Sequence, residues 1–237
     1  MDDVGSPKAV DLIATARPGA EAEPVTVPVV IESRGGELAG DLTVPAQPAG
    51  IVVFAHGSGS SRHSRRNRAV AKVLQRSGVA TLLLDLLTAE EERLDIRTGH
   101  LRFDIGLLAG RVTTAVEQIR EHAVVEGLPV GLFGASTGAA AALVAAAHDH
   151  WIRAVVSRGG RPDLAGAALH NVQAPTLLIV GSLDERVLDL NRQAGRQLAA
   201  ENRIEVVEGA SHLFEKPGAL EEVARLAAGW FHDHLAS

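Results

Sequence analysis

The chain has 237 residues and a net charge of −6, with no cysteine, no tyrosine and only 3% aromatic residues. The missing cysteine removes disulfides, thiolate metal sites and cysteine nucleophiles together, and the few aromatics speak against base-stacking platforms and aromatic cages. The acidic balance argues against nucleic acid and anionic membrane surfaces as partners.

Residues 1–24 begin acidic and hold no apolar core of signal-peptide length, so they are expected to be a flexible tail ahead of a single domain over 25–237. No run approaches the ~20 apolar residues of a spanning helix, and a cytoplasmic protein is expected. "VTVPVVIE" (25–32) and "ELAGDLTV" (37–44), joined by "SRGG", read as an antiparallel hairpin. "IVVFAH" (51–56), "VATLLLD" (79–85), "PVGLFG" (129–134), "IRAVVS" (152–157) and "PTLLIVG" (175–181) are apolar throughout, as strands of a parallel sheet covered on both faces must be. "RIEVVEG" (203–209) completes eight strands. Apolar residues at three- and four-residue spacing predict helices near 66–77, 104–122, 137–148, 187–200 and 219–235. The pattern predicts an α/β fold, a three-layer doubly wound sheet of eight mostly parallel strands with an N-terminal antiparallel hairpin. The link 158–174 is too short for a cap domain. The segment 87–104, "LTAEEERLDIRTGHLRFD", reads as a long charged loop at a strand end, with His100 and Arg102 able to reach inward or to serve a partner surface.

Ser136 stands where an apolar strand meets an alanine-rich helix, inside "GASTG" (134–138). G-x-S-x-G spacing suits a sharp strand-to-helix turn that holds a serine in strained backbone, with small neighbours to avoid collision. Taken alone, Ser136 could equally be a helix N-cap. A nucleophilic serine on this architecture needs an acid and then a histidine later in the chain, each after a strand. Asp184 follows the strand 175–181 and His212 follows 203–209, in that order. The oxyanion donors are expected from the N–H of Thr137 and from the small-residue loop "HGSGSS" (56–61), with Ser58 the choice there and Gly59 the alternative. A dinucleotide loop is excluded, because Arg62 stands where the third glycine of G-x-G-x-x-G belongs.

The motifs "FAHGSGSS", "GASTG", "GSLDERV" and "GASHLF", in this order, resemble the α/β-hydrolase superfamily and its capless dienelactone-hydrolase-like branch. The resemblance spans about 25–237 and implies a Ser136–His212–Asp184 triad without a cofactor. The chain departs from dienelactone hydrolases proper in having no cysteine nucleophile, so their lactone substrate does not carry over.

Arg62, Arg65, Arg66 and Arg68 crowd "SRHSRRNR" (61–68), where positive charge opposes the dipole of the helix that follows. Arg62, Arg65 and Arg66, with Arg158 at another strand end, are expected substrate-binding candidates for a carboxylate or phosphate, against the alternative of a solvated basic face. The "HDH" runs at 148–150 and 232–234 lie near helix ends, where histidine serves as a cap, and no metal is expected. The expected activity is hydrolysis of small soluble carboxylic esters or lactones, anionic ones included, by a monomer or homodimer. A non-catalytic binding protein of the same fold and an acyltransferase using the same residues are the rivals.

Overall fold

The computed structural model describes residues 23–235, so the expected tail over 1–24 lies almost wholly outside the described residues. Strands β1 (Val25–Ser33) and β2 (Gly36–Val44) form the hairpin, turning at Arg34–Gly35 with Gly35 at φ 99°. A two-residue hairpin turn needs positive φ, which glycine adopts without a Cβ clash. Strands β3 (Gly50–Ala55), β4 (Val79–Leu84), β5 (Val130–Ala135), β6 (Ile152–Arg158), β7 (Thr176–Gly181) and β8 (Asn202–Val207) complete one eight-stranded sheet in the order β1-β2-β4-β3-β5-β6-β7-β8. β1–β2 and β2–β4 are antiparallel and the remaining pairs parallel. The edge strands β1 and β8 are the least buried. β1 carries Pro28, and β8 alternates outward Arg203 and Glu205, both devices that discourage a further strand from adding.

Helices α1 (Arg65–Arg76) and α6 (Ala219–Leu235) cover one face, packing Val70, Leu74, Val223 and Phe231 on Phe54 and Phe133. Helices α3 (Ile105–Arg120), α4 (Thr137–His148) and the 3-10 segment Pro162–Asn171 cover the other, joined by Ala194 of α5 (Glu185–Gly195). α4 is buried nearly all round, which explains its alanines: small side chains let it lie close on the strands beneath.

The segment 87–104 is a correction to the expected loop. It contains helix α2 (Ala89–Thr98) and a 3-10 turn at Leu101–Phe103. Thr88 Oγ1 accepts from Glu91 N (3.2 Å) while Glu91 Oε2 accepts from Thr88 N (2.8 Å), and Gly99 closes the helix at φ 66°. A Thr-x-x-Glu capping box and a following glycine are readable start and stop signals. They were masked because α2 buries only Asp95 and so shows no apolar stripe.

β3 leads to β4 on one side and pairs with β5 on the other. The chain therefore leaves the carboxyl ends of β3 and β5 in opposite directions, opening the crevice where doubly wound sheets bind ligands.

Candidate active site

Ser136 stands in that crevice, in the turn from β5 to α4, with φ 51° and ψ −120°. Left-handed backbone in a non-glycine residue costs on the order of 1–3 kcal/mol and persists only when its surroundings enforce it. Three main-chain hydrogen bonds do so here. Ser136 N donates to Arg158 O (3.2 Å), and Ser136 O accepts from Ala139 N and Arg161 N, both at 3.1 Å. The hydroxyl makes no capping bond to α4, so the N-cap role does not describe this serine. The flanking glycines are obligatory on steric grounds. A Cβ on Gly134 would lie 2.4 Å from Ala139 Cα, and one on Gly138 would lie 2.3 Å from Ala55 O.

Asp184 directly precedes α5 and His212 lies in the turn after β8. His212 Nδ1 is 2.6 Å from Asp184 Oδ2. Beside a carboxylate, Nδ1 is the protonated nitrogen, which leaves Nε2 with its lone pair. Asp184 makes no side-chain cap bond, so its carboxylate serves the imidazole. The two loops are pinned together by Leu183 N to Ala210 O (3.0 Å) and Gly209 N to Ser182 Oγ (2.7 Å). Gly181 is the close-approach point between them, since a Cβ there would lie 2.3 Å from Ala210 O. The His212 ring lies over Gly159, where a Cβ would come 3.6 Å from Cε1, next to the carbonyl that holds Ser136. The described hydrogen bonds join His212 to Asp184 and leave Ser136 Oγ outside the pair. Such bonds are often loose in a resting enzyme and tighten around substrate.

Of the expected oxyanion donors, Ser58 N donates to Thr137 Oγ1 (2.9 Å), tying the loop after β3 to the first residue of α4. Gly57 permits that approach, because a Cβ there would sit 3.1 Å from Ser136 Cβ. Gly59 turns at φ 67° beneath Arg102. Sequence reasoning missed His56. It is buried, its Nδ1 donates to Gly57 O (2.9 Å), and its Nε2 accepts from Leu86 N (3.1 Å). Burial lowers its pKa, so the ring stays neutral and braces the loop after β3 against the end of β4. Only the distant Leu86 amide gives His56 this role, and local sequence holds no sign of it.

A cavity of about 410 Å³ opens beside Thr137 and Ser58, walled by Leu86, Leu108 and the α2 residues Glu92 and Ile96. Arg102 also lines it, held by Asp95 (Nε to Oδ2, 2.6 Å), whereas His100 is exposed.

The arginine candidates separate. Arg62 is bound to Asp85 through its main chain (2.6 Å) and its side chain, with Asp41 at 3.6 Å. Arg68 pairs with Asp41 (2.9 Å), and Arg65 is exposed. Arg62 is therefore a strut between the loop that leads into α1 and the sheet, a role set by two acids far away in sequence. Arg66 is half-buried near Arg158, which is only 8% exposed. Burial and the nearby Arg66 charge push the Arg158 guanidinium down to about 10. One histidine of each "HDH" run meets an aromatic ring, His150 on Trp151 and His234 on Trp230. Among the described residues no helix is long and apolar enough to cross a membrane.

The sequence signature of the dienelactone hydrolase family matches residues 38–232. A dienelactone hydrolase from Anabaena variabilis superposes with a TM-score of 0.89 at 54% identity, covering 90% of this chain and 100% of that one. Est1E from Butyrivibrio proteoclasticus shares the fold at a TM-score of 0.74 and 16% identity, over 89% of this chain and 99% of its own. Two Mycobacterium tuberculosis proteins, each named "Putative phosphoribosyl transferase", are 59% identical over 199 residues, or 84% of this chain. The chain spans 44% of the length of those relatives.

Proposed function

The chain belongs to the dienelactone hydrolase family, and on that ground we propose that it is a serine hydrolase of small carboxylic esters or lactones. The observation that carries the reading is the His212–Asp184 contact of 2.6 Å on the sheet edge where Ser136 is held at φ 51°. In the proposed reaction His212 Nε2 takes the Ser136 proton, and the alkoxide attacks the carbonyl carbon. Asp184 holds the imidazole tautomer and stabilises the imidazolium. The imidazolium then protonates the departing alkoxide, and water attacks the acyl-enzyme through the same histidine. The N-terminus of α4 points at the developing oxyanion, which its dipole favours. The transferase name belongs to proteins of which more than half lies outside the match, and a serine beside a histidine–aspartate pair favours acyl chemistry.

The direct test is intact mass after exposure to a fluorophosphonate. One adduct on wild type, absent from Ser136→Ala, is expected. An unmodified wild type with a normal circular dichroism spectrum would sink the reading.

The oxyanion site admits a separate test. The Ser58 amide, bound to Thr137 Oγ1 at rest, reaches an oxyanion only by releasing that oxygen. The exchange costs one net hydrogen bond, about 0.5–1.5 kcal/mol. Thr137→Val removes the acceptor and keeps the shape, so kcat on 4-nitrophenyl acetate is expected to rise roughly two- to ten-fold. A fall of about 100-fold or more would instead make the Thr137 hydroxyl itself the donor.

A further inference from the structure

Asn191 is a polar side chain in an apolar place. It lies in α5 with Val187, Leu188 and Ala194, the other buried residues of that helix, and is itself wholly buried. An aliphatic residue suits such a stripe better, because a buried amide costs stability unless its hydrogen bonds are made. Only half of this amide is satisfied. Nδ2 donates to Val187 O (2.7 Å) and to Gly160 O (3.0 Å), whereas Oδ1 has no hydrogen-bond partner among the described residues. The bond to Val187 stays within α5. The bond to Gly160 spans 31 residues and reaches the segment 158–161 at the end of β6.

That segment touches the whole candidate site. Arg158 O accepts from Ser136 N (3.2 Å) and Arg161 N donates to Ser136 O (3.1 Å), so residues on both sides of Gly160 hold the left-handed serine. Gly159, at φ 52°, has the His212 ring above it, a Cβ there lying 3.6 Å from Cε1. Gly160 has no room to shift, since a Cβ would come 2.0 Å from Ser157 Oγ and 2.6 Å from Ala139 Cβ. Asp184 directly precedes the helix that carries Asn191, about two turns away.

We propose that Asn191 is a positioning residue for the ester chemistry. Through Gly160 O it locks the segment 158–161 to α5, and so holds Ser136 where the His212–Asp184 pair can take its proton. Asn191 touches no reacting atom. The proposal rests on the hydrolase reading for its effect on rate, while the anchoring itself does not depend on catalysis.

Asn191→Leu keeps the branched shape, removes the donor together with the unmatched oxygen, and leaves Gly160 O without its partner. Two measurements read the result. In hydrogen exchange followed by mass spectrometry, the peptides that contain the Ser136 and Arg161 amides are expected to exchange about two- to ten-fold faster, the effect of one lost hydrogen bond. Peptides of the β1–β2 hairpin should keep wild-type rates. In steady-state kinetics with 4-nitrophenyl acetate, kcat is expected to fall about ten- to hundred-fold with KM little changed, as slight misplacement of a reacting group does. Leu74→Ala in α1, on the opposite face of the sheet, is the control for lost stability alone and should keep kcat. Should Asn191→Leu fail to fold, Asn191→Ala removes the same donor without added bulk and decides. Faster exchange around Ser136 with kcat at its wild-type value would make Asn191 a structural tie only and overturn the proposal. Unchanged exchange with unchanged kcat would overturn it equally, with ester hydrolysis intact. Faster exchange in the variant of a protein that hydrolyses no ester would keep the anchor and remove the hydrolase reading.

Discussion

Replacing Ser136 by alanine is expected to lower kcat on a small neutral ester by roughly 10⁴–10⁶, with KM little changed. The size follows from the proposed mechanism, in which the three residues act as a unit. Without the hydroxyl no acyl-enzyme forms, and His212 and Asp184 have nothing to activate. His212→Ala should therefore cost about as much as Ser136→Ala, and the double variant no more than either. Asp184→Asn should cost less, roughly 10⁴, because the serine and imidazole remain and only the tautomer is lost. The 2.6 Å contact to His212 Nδ1 makes that prediction specific. An asparagine that offers its amide hydrogens to Nδ1 forces the proton to Nε2, the nitrogen that must accept from serine. Steady-state kinetics of the four variants, each checked by circular dichroism, measures the pattern. A Ser136→Ala enzyme within ten-fold of wild type would remove Ser136 as the nucleophile.

The parts of this arrangement that local sequence encodes were readable in advance. Continuous apolar runs marked β3 to β7, because a strand covered on both faces has no polar side to alternate. The Gly134–Ser136–Gly138 spacing marked the turn because its steric demand is local, set within five residues. The order Ser136, Asp184, His212 followed from strand order, since each residue sits just past a strand. Contacts made between distant segments were not readable. Arg62 and Arg158 look alike in sequence. Asp85 and Asp41 claim the first and leave the second without a carboxylate. The bond from Ser58 N to Thr137 Oγ1 spans 79 residues and redirects the amide expected to face the substrate. Helix α2 is a different case. Its caps were present in sequence, but its charged surface carried no apolar period, and the cavity wall it forms went unseen with it.

Gly138→Ala tests the steric argument on which the serine turn depends. Helix propensity alone favours alanine by about 1 kcal/mol at a helical position. Packing opposes it, because the new Cβ would lie 2.3 Å from Ala55 O and 2.4 Å from His56 O. Both obstacles are backbone at the end of β3, and the first belongs to the strand at the centre of the sheet's switch point. Neither can swing aside as a side-chain tip would, so α4 or the loop after β3 must move. Overpacking of this kind is expected to cost about 3 kcal/mol or more, lowering Tm by roughly 6–12 °C in a chain of this size. Gly110→Ala in α3 is the matched control, because a Cβ there meets nothing within 4 Å. It should gain up to about 1 kcal/mol from propensity alone. The same substitution thus carries opposite signs in two helices of one protein. Thermal melts of the two variants read the difference directly, and equal Tm values would show that α4 does not rest on β3 as closely as the serine turn requires. The displacement should also shift Ser136, which directly precedes α4, so residual folded Gly138→Ala is expected to lose activity beyond its loss of stability.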